Sequence, residues 1–223
     1  MIQHVLFDLD GTLTDSADGI TRCLHHALIS VGGEAPPTAE LRAFIGAPLS
    51  EIFSALLDTD DKVRVDAAIS HYRERFDRVG YAENRVYDGI TEVLAQLRVR
   101  GYALYVATAK AQRDATRIID HFELGDSFHA VFGVNGDAER LDKSVLMRRI
   151  VKTHGLQPEA VAMVGDRVHD VLGAQRAGIR AIGAGWGYGS AQELRDSAAI
   201  ASSPAELLDH LPHRAGRERI RRR

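Results

Sequence analysis

Phe7-Asp8-Leu9-Asp10-Gly11-Thr12-Leu13-Thr14-Asp15-Ser16 is the stretch from which the rest of the 223-residue chain can be read. Ahead of it, His4-Val5-Leu6-Phe7 has the β-branched and aromatic content of a buried strand. Two aspartates separated by one residue follow, then a glycine that can take backbone angles closed to other residues. Residues two apart on a strand share a face. Two carboxylates placed there repel and are costly to bury without a cation. The plainer alternative is that Asp8 and Asp10 cap a helix, a position Asp favours. If they are buried, a divalent metal ion is the simplest partner.

Downstream, the pattern turns helical. Residues 18–31 carry Ile20, Leu24, Ala27, Leu28 and Val31 at helical spacing. Pro36-Pro37-Thr38 breaks the chain before a short helix, and Pro48 opens another. A long amphipathic helix over 60–79 draws its apolar positions mostly from Val63, Ala67, Ile69, Tyr72 and Phe76. No strand is expected between residues 15 and 85. Beyond Tyr87 helices and strands alternate: helix 88–99, strand 102–107, helix 112–122, strand 130–134, helix 143–154, strand 160–164, helix 170–177 and strand 179–183. Alternation with near-continuous apolar strands marks a parallel α/β sheet covered on both faces. The helical block interrupts it after the first strand, so it reads as an inserted cap, residues 15–85, between core segments 1–14 and 86–223.

Composition excludes several classes of protein. A formal net charge of −3 gives no global attraction to nucleic acid or anionic membrane. One cysteine, Cys23, rules out an internal disulfide and a cysteine-based zinc cluster. No apolar run approaches the length of a membrane span and no leader-like segment opens the chain, so a reducing cytoplasm is the default location. Gly185-Trp186-Gly187-Tyr188-Gly189-Ser190 lacks the signature of a nucleotide loop and reads as a flexible loop packing one aromatic. Residues 214–223 hold six arginines and read as a solvated chain end.

In open parallel sheets ligands bind beyond the carboxyl ends of the strands. The first strand delivers Asp8 and Asp10 there. The strand ending at Ala107 delivers Thr108-Ala109-Lys110, and the one ending at Val164 delivers Gly165-Asp166-Arg167, with Asp170 shortly after. Lys143 opens the helix that follows the strand around Phe132. Taken singly, each has a bland reading: Thr108 and Asp170 as caps, Asp166 as a turn residue, Lys143 as a surface lysine. Together they compose a site. Asp8, Asp166 and Asp170 supply hard oxygens suited to Mg²⁺. Lys143 adds positive charge against a phosphoryl group, Thr108 can donate to a phosphoryl oxygen, Asp8 can act as a covalent nucleophile, and Asp10 can protonate a leaving oxygen and then activate water.

Asp8-Leu-Asp-Gly-Thr, Thr108, Lys143 and Gly165-Asp166-Arg-Val-His-Asp170 resemble the four motifs of the haloacid-dehalogenase-like hydrolase superfamily. Within it the chain is most similar to the phosphoglycolate phosphatase-like branch, over nearly everything from 4 to 211. The resemblance implies a doubly wound, Rossmann-like core with an α-helical cap, and an aspartyl-phosphate intermediate. It also implies Mg²⁺ held by the Asp8 carboxylate, the Asp10 backbone carbonyl and Asp166, with Asp170 supporting that shell. Ala109 departs from the Ser or Asn often found in relatives.

The function expected is therefore Mg²⁺-dependent hydrolysis of a small phosphorylated metabolite by a monomer or homodimer, without nucleic acid or membrane partners. Phosphoglycolate, nucleoside monophosphates, pyrophosphate and sugar phosphates stay open as substrates, and a sugar phosphomutase shares the core residues. Asp10 argues against a dehalogenase. Lys62, the lone lysine in 15–85, is a poor candidate for the amine nucleophile of a phosphonoacetaldehyde hydrolase. A non-catalytic protein on this scaffold would be expected to have lost a nucleophile, an acid or the lysine. Arg42, Gly46 and Arg85 are candidate cap contributors, and His169 is a bystander of the last motif.

Overall fold

The computed structural model describes residues 1–134 and 142–212. Strand β1 (His4–Phe7) leads into β2 (Thr14–Asp15). Helices α1 (Ala17–Ser30), α2 (Thr38–Leu41), α3 (Leu49–Leu57) and α4 (Lys62–Arg78) come next. Strand β3 (Arg85–Val86) restarts the alternation with α5 (Ile90–Val99), β4 (Ala103–Ala111), α6 (Gln112–His121) and β5 (Ala130–Val134). It continues through α7 (Lys143–Thr153), β6 (Val161–Gly165), α8 (Val168–Arg176) and β7 (Arg180–Ala184). Short elements α9 (Ala191–Leu194), β8 (Ala199–Ala201) and α10 (Leu207–His210) finish it.

Six strands form one parallel sheet in the order β5-β4-β1-β6-β7-β8. Strand β1 lies at its centre with Val5, Leu6 and Phe7 fully buried. Successive strand residues face opposite sides. Val5 and Phe7 accordingly join an apolar cluster with α5, α6 and the helices of the insert, while Leu6 joins a second cluster with α7 and α8. This is the doubly wound α/β arrangement, with helices on both faces. The chain winds outward from β1 to β4 and β5, then returns to β6 on the other flank of β1. That reversal opens a crevice at the carboxyl ends of β4, β1 and β6.

The insert between β2 and β3 is helical throughout, and the chain enters and leaves it through those two strands. They pair antiparallel, Thr14 with Val86 and Asp15 with Arg85. At two residues each they are too short to leave an alternating pattern, so the sequence does not announce them. Contacts from α6 hold the insert against the core. Arg113 donates to Asp77 Oδ2 at 3.1 Å, Arg117 donates to the Asp77 carbonyl at 2.7 Å, and the Arg117 guanidinium lies 3.5 Å from the Tyr81 ring centroid.

Three local expectations need correcting. Val63 is 79% exposed, and the buried face of α4 is Val65, Ala68, Tyr72 and Phe76. Val63 stands two residues from Val65, about 200° around the helix, and so points away. Strand β4 continues past residue 107 to Ala111, with a register irregularity that lets Ala111 pair with Val134. Thr108 is thus a strand residue, and Ala111 occupies the cap position of α6. Lys110 hides this extension by breaking the apolar run. Strand β8 was also not anticipated, being only three residues long. The basic tail, residues 214–223, lies outside the described residues. No helix among the described residues is long and apolar enough to cross a membrane.

Candidate active site

Asp8 leaves the end of β1 with its N–H donating to the Val164 carbonyl of β6 at 2.9 Å. The chain then turns tightly, the Leu9 carbonyl accepting from the N–H groups of Thr12, Leu13 and Thr14. Gly11 makes the turn possible. Its φ is +83°, and a Cβ there would stand under 3.0 Å from the Asp166 carboxylate. Asp166 follows β6 with no solvent exposure, accepts from Thr12 Oγ1 at 3.4 Å and from the Tyr188 N–H at 2.8 Å. Asp170 sits in the first turn of α8, where its Oδ2 accepts from the Arg167 N–H at 3.1 Å. Lys143, the first residue of α7, is 6% exposed and forms a close ion pair with Asp170 Oδ1. Its Nζ is also 2.8 Å from Asp8 Oδ1. Lys143 thus forms ion pairs with both Asp8 and Asp170.

Asp8, Asp166 and Asp170, all buried, each present an oxygen within 4.8 Å of the others. Three carboxylates share a single ammonium, and the electrostatics show the strain. Burial pushes Asp166 up to about 8, reinforced by the charges of Asp170 and Asp8. Burial likewise pushes Asp8 up to about 6; Lys143 opposes this, while Asp170 and Asp10 add to it. Burial disfavours the Lys143 charge too, but Asp170 and Asp8 outweigh it and hold the lysine protonated. Without a further cation, burial and mutual repulsion favour the protonated forms of Asp8 and Asp166. An all-oxygen donor set of three buried carboxylates fits a hard divalent ion.

Other residues named from the sequence fall around this cluster. Thr108 is 2% exposed at the end of β4's regular stretch, its hydroxyl accepting from the Lys110 N–H at 3.3 Å. The Asp10 carboxylate is not in the group of three. Its Oδ2 accepts from Lys110 Nζ at 2.7 Å, while Oδ1 is buried without a donor. Lys110 also lies 4.8 Å from the Phe76 ring centroid of the insert. Of the candidate cap residues, Arg85 pairs with Asp15 at 2.7 Å and Arg42 reaches Asp18 at 4.0 Å. Gly46 packs beneath Arg167.

Two features were not legible as parts of the site. Arg167 donates through Nη1 to the Ile45 carbonyl of the insert and through Nε to Glu193 Oε2 at 2.8 Å, tying the end of β6 to the insert. The glycine-rich segment 185–190, expected as a flexible loop, is instead fixed against Asp166. Trp186 Nε1 donates to the Thr12 carbonyl at 3.0 Å, and a Cβ at Gly187 would stand under 3.0 Å from both Asp166 Cβ and the Gly11 carbonyl. Only bare backbone fits. Gly187→Ala should therefore displace Asp166, lowering stability by about 1–3 kcal/mol and removing most activity. Wild-type melting temperature and turnover in that variant would show that the segment yields freely.

A family model described as haloacid dehalogenase-like hydrolase matches residues 5–184. A 5'-nucleotidase of Pseudomonas aeruginosa is 46% identical over 192 residues, covering 86% of this chain and 86% of that protein. The tyrosine-protein kinase PtkA of Mycobacterium tuberculosis is 38% identical over 215 residues, covering 96% of this chain and 72% of that protein. Among solved structures, a predicted phosphatase from Clostridium acetobutylicum superposes with a TM-score of 0.87 at 35% identity, covering 95% of this chain and 98% of that one.

Proposed function

Because the chain belongs to the haloacid dehalogenase-like hydrolase family and is a phosphatase, we propose that it hydrolyses a small phosphomonoester through a phosphoryl group carried on Asp8. One observation carries this reading: Asp8, Asp166 and Asp170, from distant parts of the chain, meet beside Lys143 at the carboxyl edge of the sheet. Asp8 attacks phosphorus, and Asp10 protonates the departing oxygen through Oδ1, the oxygen that Lys110 leaves free. Asp10 then takes a proton from water, which attacks the phosphorus and releases inorganic phosphate and Asp8. Lys143 stabilises negative charge on Asp8 and on the phosphoryl oxygens, and Thr108 donates to one of them.

Mg²⁺ is the ion we assign, held by the Asp8 carboxylate, the Asp10 backbone carbonyl and Asp166, with Asp170 supporting them. When bound it supplies positive charge against the phosphoryl oxygens. The helical insert, residues 15–85, serves as a cap over core segments 1–14 and 86–223, excluding water during transfer. As substrate we place a nucleoside 5'-monophosphate first, on the strength of the relative 46% identical. Phosphoglycolate, the substrate of the branch that the motifs resemble, comes next.

Phosphate release from a panel of nucleoside monophosphates, phosphoglycolate and sugar phosphates tests this reading. A marked preference for nucleotides is the expected result, and no release from any of the panel would overturn it. A sugar 1-phosphate converted to its isomer without phosphate release would instead identify a mutase.

The metal assignment has its own signature. The unfolded Asp166 carboxyl ionises near its ordinary 3.8, whereas the folded one keeps its proton to about 8. The folded state binds more protons across that window, so stability falls as pH rises through it. In chelator the melting temperature should decline from about pH 5 to about pH 8, and saturating Mg²⁺ should reverse the decline. A melting curve indifferent to both Mg²⁺ and chelator, with full activity in chelator, would remove the metal from the mechanism.

A further inference from the structure

Tyr188 links Asp166 to the chain at Asp15 and Ser16. Its backbone N–H donates to Asp166 Oδ2 at 2.8 Å. Its phenol donates to Asp15 Oδ1 at 2.8 Å and accepts from the Ser16 N–H at 2.7 Å. Asp15 belongs to β2, where it also pairs with Arg85 of β3, and its Oδ1 accepts from the Ala17 N–H at 3.2 Å. Ser16 occupies the cap position of α1 and makes no side-chain cap of its own. The phenol thus pins the point where the chain passes from the sheet into the first helix of the insert.

The connection is stiff. Gly187 and Gly189, on either side of Tyr188, both approach Asp166 so closely that neither has room for a Cβ. A shift of the phenol by movement of β2 cannot be absorbed by slack in the segment, because packed backbone on both sides bears on Asp166. We infer that Tyr188 is a positioning residue that couples the placement of Asp166 to the β2–β3 crossing, so that the state of the acid cluster and the seating of the helical insert are set together. Coupling of this kind is reciprocal: what binds at Asp166 restrains the crossing, and release of the crossing loosens Asp166. The inference rests on the proposed roles of Asp166 as a metal ligand and of the insert as a closing cap.

Tyr188→Phe separates the two contacts, since it keeps the ring and the backbone N–H and removes only the phenol. The readouts are Mg²⁺ affinity by calorimetry, Mg²⁺-induced slowing of amide hydrogen exchange over residues 14–17 and 85–87, and steady-state kinetics on the best substrate of the panel. In the wild type, Mg²⁺ alone should slow exchange at the crossing. In Tyr188→Phe that slowing should be lost and, by reciprocity, Mg²⁺ affinity should fall about 5-fold, with kcat about 5- to 20-fold lower and KM little changed. Retained slowing and an unchanged kcat in the variant would overturn the inference while leaving the metal site standing. Failure of the wild type to bind Mg²⁺ would remove the underlying reading and the inference with it.

Discussion

Asp8→Asn should leave a folded protein that releases almost no phosphate, with turnover reduced by at least about 10³-fold. The amide has the shape of the carboxylate but neither its charge nor its nucleophilicity. A second result separates this from a general disturbance of the site. Asp8 is one of three acids sharing Lys143, and burial together with the Asp170 and Asp10 charges already pushes it up to about 6. Replacing it by a neutral group relieves repulsion, so the metal-free variant should melt at or above the wild-type temperature near pH 8. Activity assays and melting curves in chelator give both answers. Turnover within about tenfold of wild type would exclude Asp8 as the attacking group.

Lys143→Met should have the opposite effect on stability. Lys143 is nearly the whole compensation for Asp8 and Asp170, both buried. Removing one member of a buried charge cluster leaves its partners uncompensated, at a cost of about 3–5 kcal/mol. The loss should be largest at high pH, where the acids must ionise, and smaller near pH 5, where Asp166 and Asp8 can keep protons. Mg²⁺ should restore part of it. Turnover should fall by about 10²- to 10³-fold, because in the proposed mechanism the ammonium also stabilises the phosphoryl oxygens. Urea unfolding in chelator at two pH values measures the first effect. A loss below about 1 kcal/mol would mean that Lys143 is not the counter-charge of the cluster.

The parallel sheet and the three acids were legible because they leave unmistakable marks. A carboxylate directly after an apolar run is costly to bury without cause, and Asp8 and Asp166 both stand in that position. What remained hidden depends on geometry rather than residue type. Lys110 meets Asp10 only because β4 runs on irregularly past Ala107, and nothing in the run of residue types specifies that extension. Tyr188 and Arg167 act through backbone approach and a carbonyl on the insert, partners that leave no signature in side-chain identity. In α4 Tyr72 and Phe76 lie on the buried face as expected, while Val63, in the first turn, is apolar yet exposed.

The backbone crowding around Asp166 also bears on how such an enzyme can diversify. Gly11, Gly187 and Gly189 leave no room for even a methyl group, so variation at these positions is paid for directly in the geometry of the acids. Freedom to vary lies on the helical side, where Val63, for example, is 79% exposed. On the proposed function, new specificities would arise there by loop exchange or helix resurfacing while the acid edge is inherited intact.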